Sequence, residues 1–362
     1  MSRSIKKSNV RVIIDPRSSY SYGSFYLLGL IELFGWRKIS FSIKPFQNLD
    51  DPGWNYRFVT VDHYKMKRFF IHTNDTYHIS KQNYEWCDIY GHVNANFEHY
   101  PQTEYPKIIS LAPSFGIRAM SLPKTILMAI FNFIKAYKFV CNRVEWNKYK
   151  NINEVNKTAN IKHFFGRHYK AWKNRLPLSY YKNSASSLDD YIFFLSTLWY
   201  NHQDNQNDKG VNLRRAYFIR ACKSLKINFE GGLVGDNTSS KEIFADVLAT
   251  NKIEFGDWII KTKQSALVFN TPAFWECHGW KLGEYLAMGK CIISTKLSND
   301  LPSPLIHGKH IHYVENTEEA MKKAVEYILS HPEYKKHLEM GATEYWEKYG
   351  TPIKSLNLLE ID

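Results

Sequence analysis

Two glutamates, Glu276 and Glu284, have seven residues between them in the stretch SALVFNTPAFWECHGWKLGEYLAMGKCIIS, residues 265–294. The pattern predicts a strand, a loop that ends near Gly279, a helix and a second strand. Carboxylates accept hydrogen bonds from hydroxyl groups, and a helix N-terminus binds anions through its free amide N–H groups. Gly279 also allows a ligand to approach the backbone closely. The stretch therefore predicts a pocket for a ligand that carries an anion and hydroxyl groups.

The elements around this pocket alternate between strands and helices from Tyr191 onward. We interpret residues 191–340 as a doubly wound α/β domain and expect residues 341–362 to pack back on the N-terminal half. The segments are the strand YIFFLSTLW, the polar loop NHQDNQNDKG, the helix VNLRRAYFIRACKSL, the strand KINFEGGLVG, short helices at KEIFADVLA and DWIIKTKQ, the short strand HIHYVE and two helices from Thr317 to about Tyr349.

The N-terminal half, residues 1–185, also shows α/β alternation, and the length of 362 residues suits two domains. A loop with Gly23 precedes its first helix and either contacts a phosphate or a sugar or is a plain turn. Polar residues follow its predicted strands and could face a cleft at the carboxyl ends of the sheet. They are Asp62, His63, His72, Asp75, Asp88 and His92.

Residues 121–175 form a predicted helical segment that is rich in Lys, Arg and aromatic residues, in a chain with a net charge of +13. Such helices suit a membrane interface, a phosphorylated acceptor or nucleic acid, and they also suit a plain connector with lysines reaching into solvent. The polar run 183–190 is the best candidate for a linker. The five cysteines form no CxxC pair and no signal peptide is evident, so we expect a reducing cytosol and neither disulfides nor bound zinc.

The stretch ECHGWKLGEYLAMGKCIIS resembles the donor-site signature of glycosyltransferases with the GT-B fold, which carry Glu-x7-Glu followed by E-x-x-A-x-G. The matching residues are Glu276, Gly279, Lys281, Leu282, Glu284, Ala287, Gly289 and Ile292. The pair Lys209-Gly210 also matches a KG found in retaining, group-4-like members. The resemblance implies an α/β, GT-B-like fold with two Rossmann-like domains facing across a cleft and the basic segment between them.

The resemblance also implies roles for individual residues. Glu284 would hold the nucleotide ribose and Glu276 the donor sugar, with His278, Gly279 and Lys281 at the pyrophosphate. Lys209 would be a cationic partner. The family usually has an Arg near the end of the first strand of this domain, but this chain has Ser196 to Trp199 there. Either Arg214 or Arg215 is expected to substitute, or the donor site differs from the usual one.

The implied activity is transfer of a sugar from a nucleoside diphosphate sugar to an acceptor hydroxyl, without a metal or cofactor and with retention favoured. If the enzyme inverts, a general base must come from the N-terminal half, and Asp15, Asp62 and His63 are the candidates. The acceptor is expected to be a glycan or glycolipid of surface polysaccharide or glycolipid assembly, reached from the cytoplasm at the inner face of an anionic membrane.

Three alternatives remain open: a nucleotide-sugar epimerase on the same scaffold, a nucleic-acid-binding protein that uses the basic helices, and a scaffold that binds without reacting. Nucleic acid is not the expected partner. The sequence lacks D-x-D, G-x-S-x-G, Walker A and H-E-x-x-H motifs, which argues against metal-dependent GT-A transferases, serine hydrolases, P-loop NTPases and zinc proteases.

Overall fold

The computed structural model describes residues 10–63, 65–141, 161–182, 187–199, 205–235, 243–249 and 253–361. The predicted α/β class is confirmed: helices cover two regions of mostly parallel sheet. Within these residues, no helix is both long enough and apolar enough to cross a membrane.

Eleven strands are described. They are β1 Arg11–Ile14, β2 Ile39–Phe41, β3 Tyr56–Asp62, β4 Lys65–His72, β5 Ile89–His92, β6 Ile108–Ser110, β7 Tyr191–Thr197, β8 Asn228–Val234, β9 Val268–Asn270, β10 Ile292–Ser294 and β11 His312–Tyr313.

Eleven α-helices are described with them. They are α1 Tyr20–Phe34, α2 Lys81–Trp86, α3 Leu122–Cys141, α4 Ile161–Lys173, α5 Leu178–Lys182, α6 Asn205–Ser224, α7 Phe255–Gln264, α8 Gly279–Ala287, α9 Glu318–Ser330, α10 Pro332–Tyr345 and α11 Pro352–Asn357. Short 3₁₀ turns cover Trp36–Lys38, Lys44–Phe46, Ala245–Val247 and Phe274–Glu276, and Trp346–Gly350 forms a π-turn.

The N-terminal sheet has six strands in the order β2-β1-β3-β4-β5-β6. Strand β3 is antiparallel to both its neighbours, β1 and β4, and every other pair is parallel. The segments YRFVTV and KRFFIHT therefore form a hairpin rather than two units of parallel alternation. Because β3 runs in the opposite direction, the residues that precede it reach the edge where the other strands end.

The C-terminal half contains the parallel pair β7-β8 and the parallel triplet β11-β10-β9. The two pieces adjoin, since the Ala266 amide donates to the Tyr191 carbonyl at 2.7 Å and the Phe193 amide donates to Ser265 Oγ at 2.9 Å. The carboxyl ends of β7, β8, β9 and β10 consequently lie at one edge, which is where ligands bind in open α/β sheets.

The two halves share a buried aromatic core. Trp346, which is fully buried, packs its ring against Phe25 and Phe115 of the N-terminal half, with ring centroids 6.2 and 5.9 Å apart. Helix α11 packs on α1, where an added Cβ on Gly29 would lie 2.8 Å from the Pro352 carbonyl oxygen. The last residues of the chain therefore pack against its first helix.

Several local predictions were wrong. Helix α1 begins at Tyr20, so Gly23 lies inside the helix rather than in the preceding loop, and Ser19 is the N-cap. Helix α6 begins at Asn205, so Lys209 is helical rather than part of a polar loop. In the segment KEIFADVLA, residues 241–242 lie outside the described residues, Ile243 is helical, and Ala245–Val247 form a 3₁₀ turn. The predicted helix beyond Cys141 falls on residues 142–160, which lie outside the described residues, as do 183–186 of the predicted linker.

Candidate functional site

A cavity of about 840 Å³ lies between the two halves, at the carboxyl ends of the strands. The N-terminal half contributes Ser21, Tyr22, Trp54 and Asp75 to its lining, and Arg175 comes from the segment between the halves. The C-terminal half contributes residues from β7 and the residues just after it, α6, β8, the segment before α7, β9, the loop after β9 and the start of α8. They include Thr197, Trp199, Arg215, Val234, Ile253, Asn270, Thr271, Cys277, His278, Gly279, Trp280 and Lys281.

The N-terminus of α8 opens onto this cavity. Gly279, the first residue of the nine-residue helix, has φ of 67°, a conformation that glycine adopts without strain. Just before it, Trp275 and Glu276 both have positive φ, 57° and 56°, which is unfavourable for residues with a Cβ. The loop therefore places the first residues of α8, Gly279 to Lys281, at the cavity wall, where the positive end of the helix dipole lies.

Three cationic side chains line the same space. Arg215 is buried and donates from Nη1 to the Thr197 carbonyl at 2.7 Å, which places its guanidinium at the end of β7. Burial, and then the neighbouring Arg214, lower the pKa of Arg215 to about 10. Arg175 stacks on Trp280 at 4.4 Å, and burial also lowers the pKa of Arg175. These charges lie near the α8 N-terminus and suit an anionic ligand.

The third cation, Lys281, donates from Nζ to the Leu195 carbonyl and lies 4.9 Å from the centre of the Phe194 ring. Burial is the main cause that lowers its pKa, to about 7, with the charge of Arg215 acting in the same direction. Lys281 can therefore change its charge near neutral pH.

Aromatic side chains form the wall on the N-terminal side. The Tyr22 ring lies 5.2 Å from Trp54 and 4.9 Å from Trp280. Trp54 is 60% exposed, so its ring offers a flat surface to a ligand. On the opposite side, Trp199 stacks on Phe274 with centroids 5.8 Å apart, next to apolar residues of β8 and of the segment before α7. Aromatic side chains from both halves thus line the cavity together with its three cations.

His278 is buried at the junction of the halves. Its amide donates to Asn94 Oδ1 at 2.9 Å, and its Nε2 has no hydrogen-bond partner among the described residues. Burial lowers the pKa of His278 to about 4, so the ring is neutral at pH 7. The His278 Nε2 is thus a buried polar atom without a partner beside the cavity, which is uncommon in folded proteins.

Asp75 is the carboxylate that the N-terminal half places at the cavity. Burial raises the pKa of Asp75, and a hydrogen bond that its carboxylate accepts from the Cys277 thiol acts in the opposite direction. Burial, with the charge of Asp75 next, raises the pKa of the Cys277 thiol well above its usual range. Cys277 is therefore a neutral hydrogen-bond donor that orients the Asp75 carboxylate.

Glu276 faces a second cavity of about 1050 Å³, lined by the loop after β10 and the residues after β11. Its Oε1 accepts from Arg214 Nη2 at 2.8 Å, and its Oε2 accepts from Ser298 Oγ at 2.8 Å. Arg214 lines this second cavity and Arg215 the first one. Either arginine could replace the strand-end arginine that the resemblance leads us to expect. Arg215 is the one whose side chain lies at the end of β7.

Glu284 is buried inside α8 and lines neither cavity. Burial raises its pKa to about 7, against the opposing charges of Lys281 and Arg175. The structure therefore does not place the two glutamates of the Glu-x7-Glu pattern around one cavity. Glu284 interacts with two cations that do line the first cavity.

Of the remaining predicted residues, Asp15, His63 and Gly23 line neither cavity. Asp15 is buried, accepting from Arg17 at 2.9 Å and from Arg57 at 3.3 Å, and this makes it part of the core. His63 lies in the β3-β4 turn with 69% of its side chain exposed. An added Cβ on Gly23 would lie 2.1 Å from the Tyr56 ring, so this glycine serves helix packing. For Lys209 only the helical backbone is described.

The sequence reasoning did not identify Tyr22, Trp54, Arg175 or Trp280 as site residues. The position of Asp75 after a strand predicts that it could face a cleft. Among the six polar residues with such a position, Asp75 alone lines the cavity. Trp54 precedes a strand, and only the reversed direction of β3 brings it to the site. Arg175 follows a helix in the basic segment, where one arginine among many carries no distinguishing signal.

No protein-family model matches the chain, and no curated protein matches it. Similar solved structures include a glycosyltransferase from Rickettsia africae, with 13% identity and a TM-score of 0.40, covering 79% of this chain and 67% of that one. A UDP-GlcNAc 2-epimerase from Neisseria meningitidis, bound to UDP-GlcNAc, shares 11% identity with a TM-score of 0.37, covering 75% and 69%. The Anabaena protein HepE, in complex with UDP and glucose, shares 10% identity with a TM-score of 0.36, covering 81% and 97%.

Proposed function

We propose that this protein is a glycosyltransferase that holds a nucleoside diphosphate sugar in the cavity between its halves and transfers the sugar to an acceptor hydroxyl. The observation that supports the proposal most is the N-terminus of α8, which opens at Gly279 onto a cavity also lined by Arg215 and Lys281. A diphosphate carries the negative charge that such a combination of a helix N-terminus and cations stabilises.

The shape of the cavity suits the other parts of such a donor. The aromatic and apolar end around Trp199 and Val234 suits a nucleobase, and the exposed Trp54 ring near Tyr22 suits the face of a sugar. The predicted roles of Glu276 at the donor sugar and Glu284 at the ribose stay predictions. Glu284 supports the site indirectly, because its negative charge attracts the positive charges of Lys281 and Arg175, which line the cavity.

The reaction breaks the bond between the anomeric carbon and the diphosphate oxygen and forms a bond to the acceptor oxygen. The leaving diphosphate gains negative charge, which Arg215, Lys281 and the α8 amides would stabilise without a metal. The acceptor proton passes to the leaving phosphate if the configuration is retained, as the resemblance implies. If it is inverted, Asp75 replaces Asp15, Asp62 and His63 as the general base, because it lines the cavity.

A thermal-shift panel of nucleoside diphosphates tests the proposal, with the adjacent arginines as a matched pair. One nucleotide is expected to raise the Tm of the wild type, and Arg215→Gln to abolish that shift. Arg214→Gln is expected to keep it, because Arg214 faces the second cavity. Absence of a shift with every nucleotide, or its loss in Arg214→Gln alone, would contradict the proposed site.

Incubation with the preferred nucleotide sugar distinguishes transfer from epimerisation. A transferase needs an acceptor to consume the donor beyond slow hydrolysis, whereas an epimerase converts the sugar nucleotide alone.

Cytoplasmic location and an acceptor of surface polysaccharide or glycolipid assembly remain part of the proposal, supported by the basic segment at 121–175.

A further inference from the structure

Helix α3 carries a row of large apolar side chains that face solvent. They are between 42% and 60% exposed and occupy one face of the helix, since residues four apart in an α-helix lie above one another. They are Ile126, Leu127, Ile130, Phe131, Ile134 and Tyr137. Single exposed apolar residues are ordinary, but a continuous row of six on one helix marks an interaction surface.

The opposite face of α3 is packed. Met128, Ala129 and Ala136 are buried, and the Phe133 ring lies 5.9 Å from Phe164 and 5.4 Å from Phe165 of α4. The helix is therefore anchored through one face, and its apolar row is directed outward by that packing.

The charge of the molecule is concentrated in the same part of the chain. Residues 121–182 contain 13 Lys and Arg against two Glu, so this segment has a net charge of +11 in a chain of +13. Lys124 and Lys135 of α3 are exposed, as are Lys170 and Lys173 of α4. An apolar row on a strongly cationic pair of helices is typical of surfaces that lie in the interface of an anionic membrane.

We infer that α3 docks on an anionic lipid bilayer, with its apolar row inserted among the acyl chains near the headgroups. The lysines of α3 and α4 contact lipid phosphates at the same time. Nucleic acid would satisfy the charge but would leave the aliphatic side chains of the row in water. A lipid surface satisfies both the charge and the apolar row.

Sedimentation of the full-length protein with vesicles tests this inference. The protein is expected to sediment with vesicles of phosphatidylcholine and phosphatidylglycerol, to bind pure phosphatidylcholine at least tenfold more weakly, and to bind less as salt rises. The double variant Ile130→Ser, Phe131→Ser is expected to lose at least tenfold in affinity. Both side chains are exposed, so the fold and the nucleotide response should be unchanged.

Met340→Ser is the matched control, because Met340 is an apolar residue on α10 with 63% exposure. This variant is expected to bind vesicles as the wild type does. The inference is overturned if the wild type does not sediment with anionic vesicles. It is also overturned if the double variant binds like the control, which would mean that charge alone acts. If the wild type forms a dimer, the double variant is a monomer and neither binds vesicles, the apolar row would instead contact a second copy of the chain.

Discussion

Half-buried Lys281 and buried Glu284 lie one turn apart on α8, where residues three apart share a face. Burial drives the two pKa values toward each other, to about 7 for each. Only Lys281 lines the cavity, so its charge can respond to a bound anion while Glu284 acts through it.

This arrangement predicts a pH dependence of nucleotide binding. A bound diphosphate favours the charged lysine, so the complex takes up a proton once the free Lys281 is neutral. Affinity is therefore expected to fall as pH rises above about 7, by up to tenfold for each pH unit. Titration calorimetry between about pH 7 and 9 measures it, and Lys281→Met should bind weakly with little pH dependence. An unchanged pH profile in Lys281→Met would exclude this role.

The two glutamates of the Glu-x7-Glu pattern are expected to differ in their effect on stability. Burial raises the pKa of Glu284 to about 7, so its ionised form is less favourable in the folded state than in the unfolded chain. The free energy of unfolding of the wild type should therefore fall by about 1–3 kcal/mol as pH rises from about 5 to 7, and Glu284→Gln should lose this contribution. Glu276→Gln weakens a partly exposed pair with Arg214, should lower the free energy of unfolding by less than about 1 kcal/mol and should keep the pH dependence of the wild type. Urea unfolding of the three proteins at about pH 5 and pH 7 measures this, and the same pH dependence in both variants would refute the difference in burial.

At the residue scale, the sequence could predict the α8 N-terminus and Gly279, because strand, loop and helix are adjacent in the chain. It could not choose between Arg214 and Arg215, since neighbouring positions on a helix point about 100° apart and only tertiary packing decides which one faces the cavity. Asp75 and Lys281 meet at the cavity across about two hundred residues of chain, a contact that no local pattern encodes.

At the scale of elements, the contact between α1 and α11 ties the end of the chain to the N-terminal sheet. An added Cβ on Gly29 would lie 2.7 Å from Leu356 and 2.8 Å from the Pro352 carbonyl oxygen. Gly29→Ala is therefore expected to lower the free energy of unfolding by about 1–3 kcal/mol through overpacking.

Gly166→Ala is the control for that prediction. Gly166 lies inside α4 with no atom within 4 Å of an added Cβ, so alanine should stabilise the helix by about 0.5–1 kcal/mol. Chemical denaturation measures both variants, and a neutral or stabilising Gly29→Ala would show that α11 does not pack as described.

Most strands could be predicted from short apolar runs, because buried parallel strands read as continuous hydrophobic segments. The direction of β3 could not, since the two-residue connection between β3 and β4 carries no turn signature such as Asn-Gly. The polar sequence 205–210 was assigned to a loop by composition, yet it continues α6 toward its N-terminus. Local polarity does not separate a solvated first helical turn from a loop.

At the scale of the whole molecule, two α/β halves could be predicted from alternation and length, but their docking could not. Asp300 of the C-terminal half makes three hydrogen bonds to the N-terminal half. Its amide donates to the Ala95 carbonyl at 2.7 Å, and its carboxylate accepts from the Phe97 amide at 2.6 Å. Its carbonyl accepts from Ser110 Oγ at 2.8 Å. These contacts bring Tyr22 and Asp75 opposite α8 and thereby complete the cavity.

The central claim is that this cavity binds the diphosphate of a sugar donor. The most direct test is a crystal structure of the protein with the nucleoside diphosphate that raises its Tm most. The diphosphate is expected within hydrogen-bond distance of the Gly279 amide and Arg215, with the base toward Trp199. A nucleotide bound in the second cavity at Arg214 and Glu276, or at neither cavity, would contradict the account.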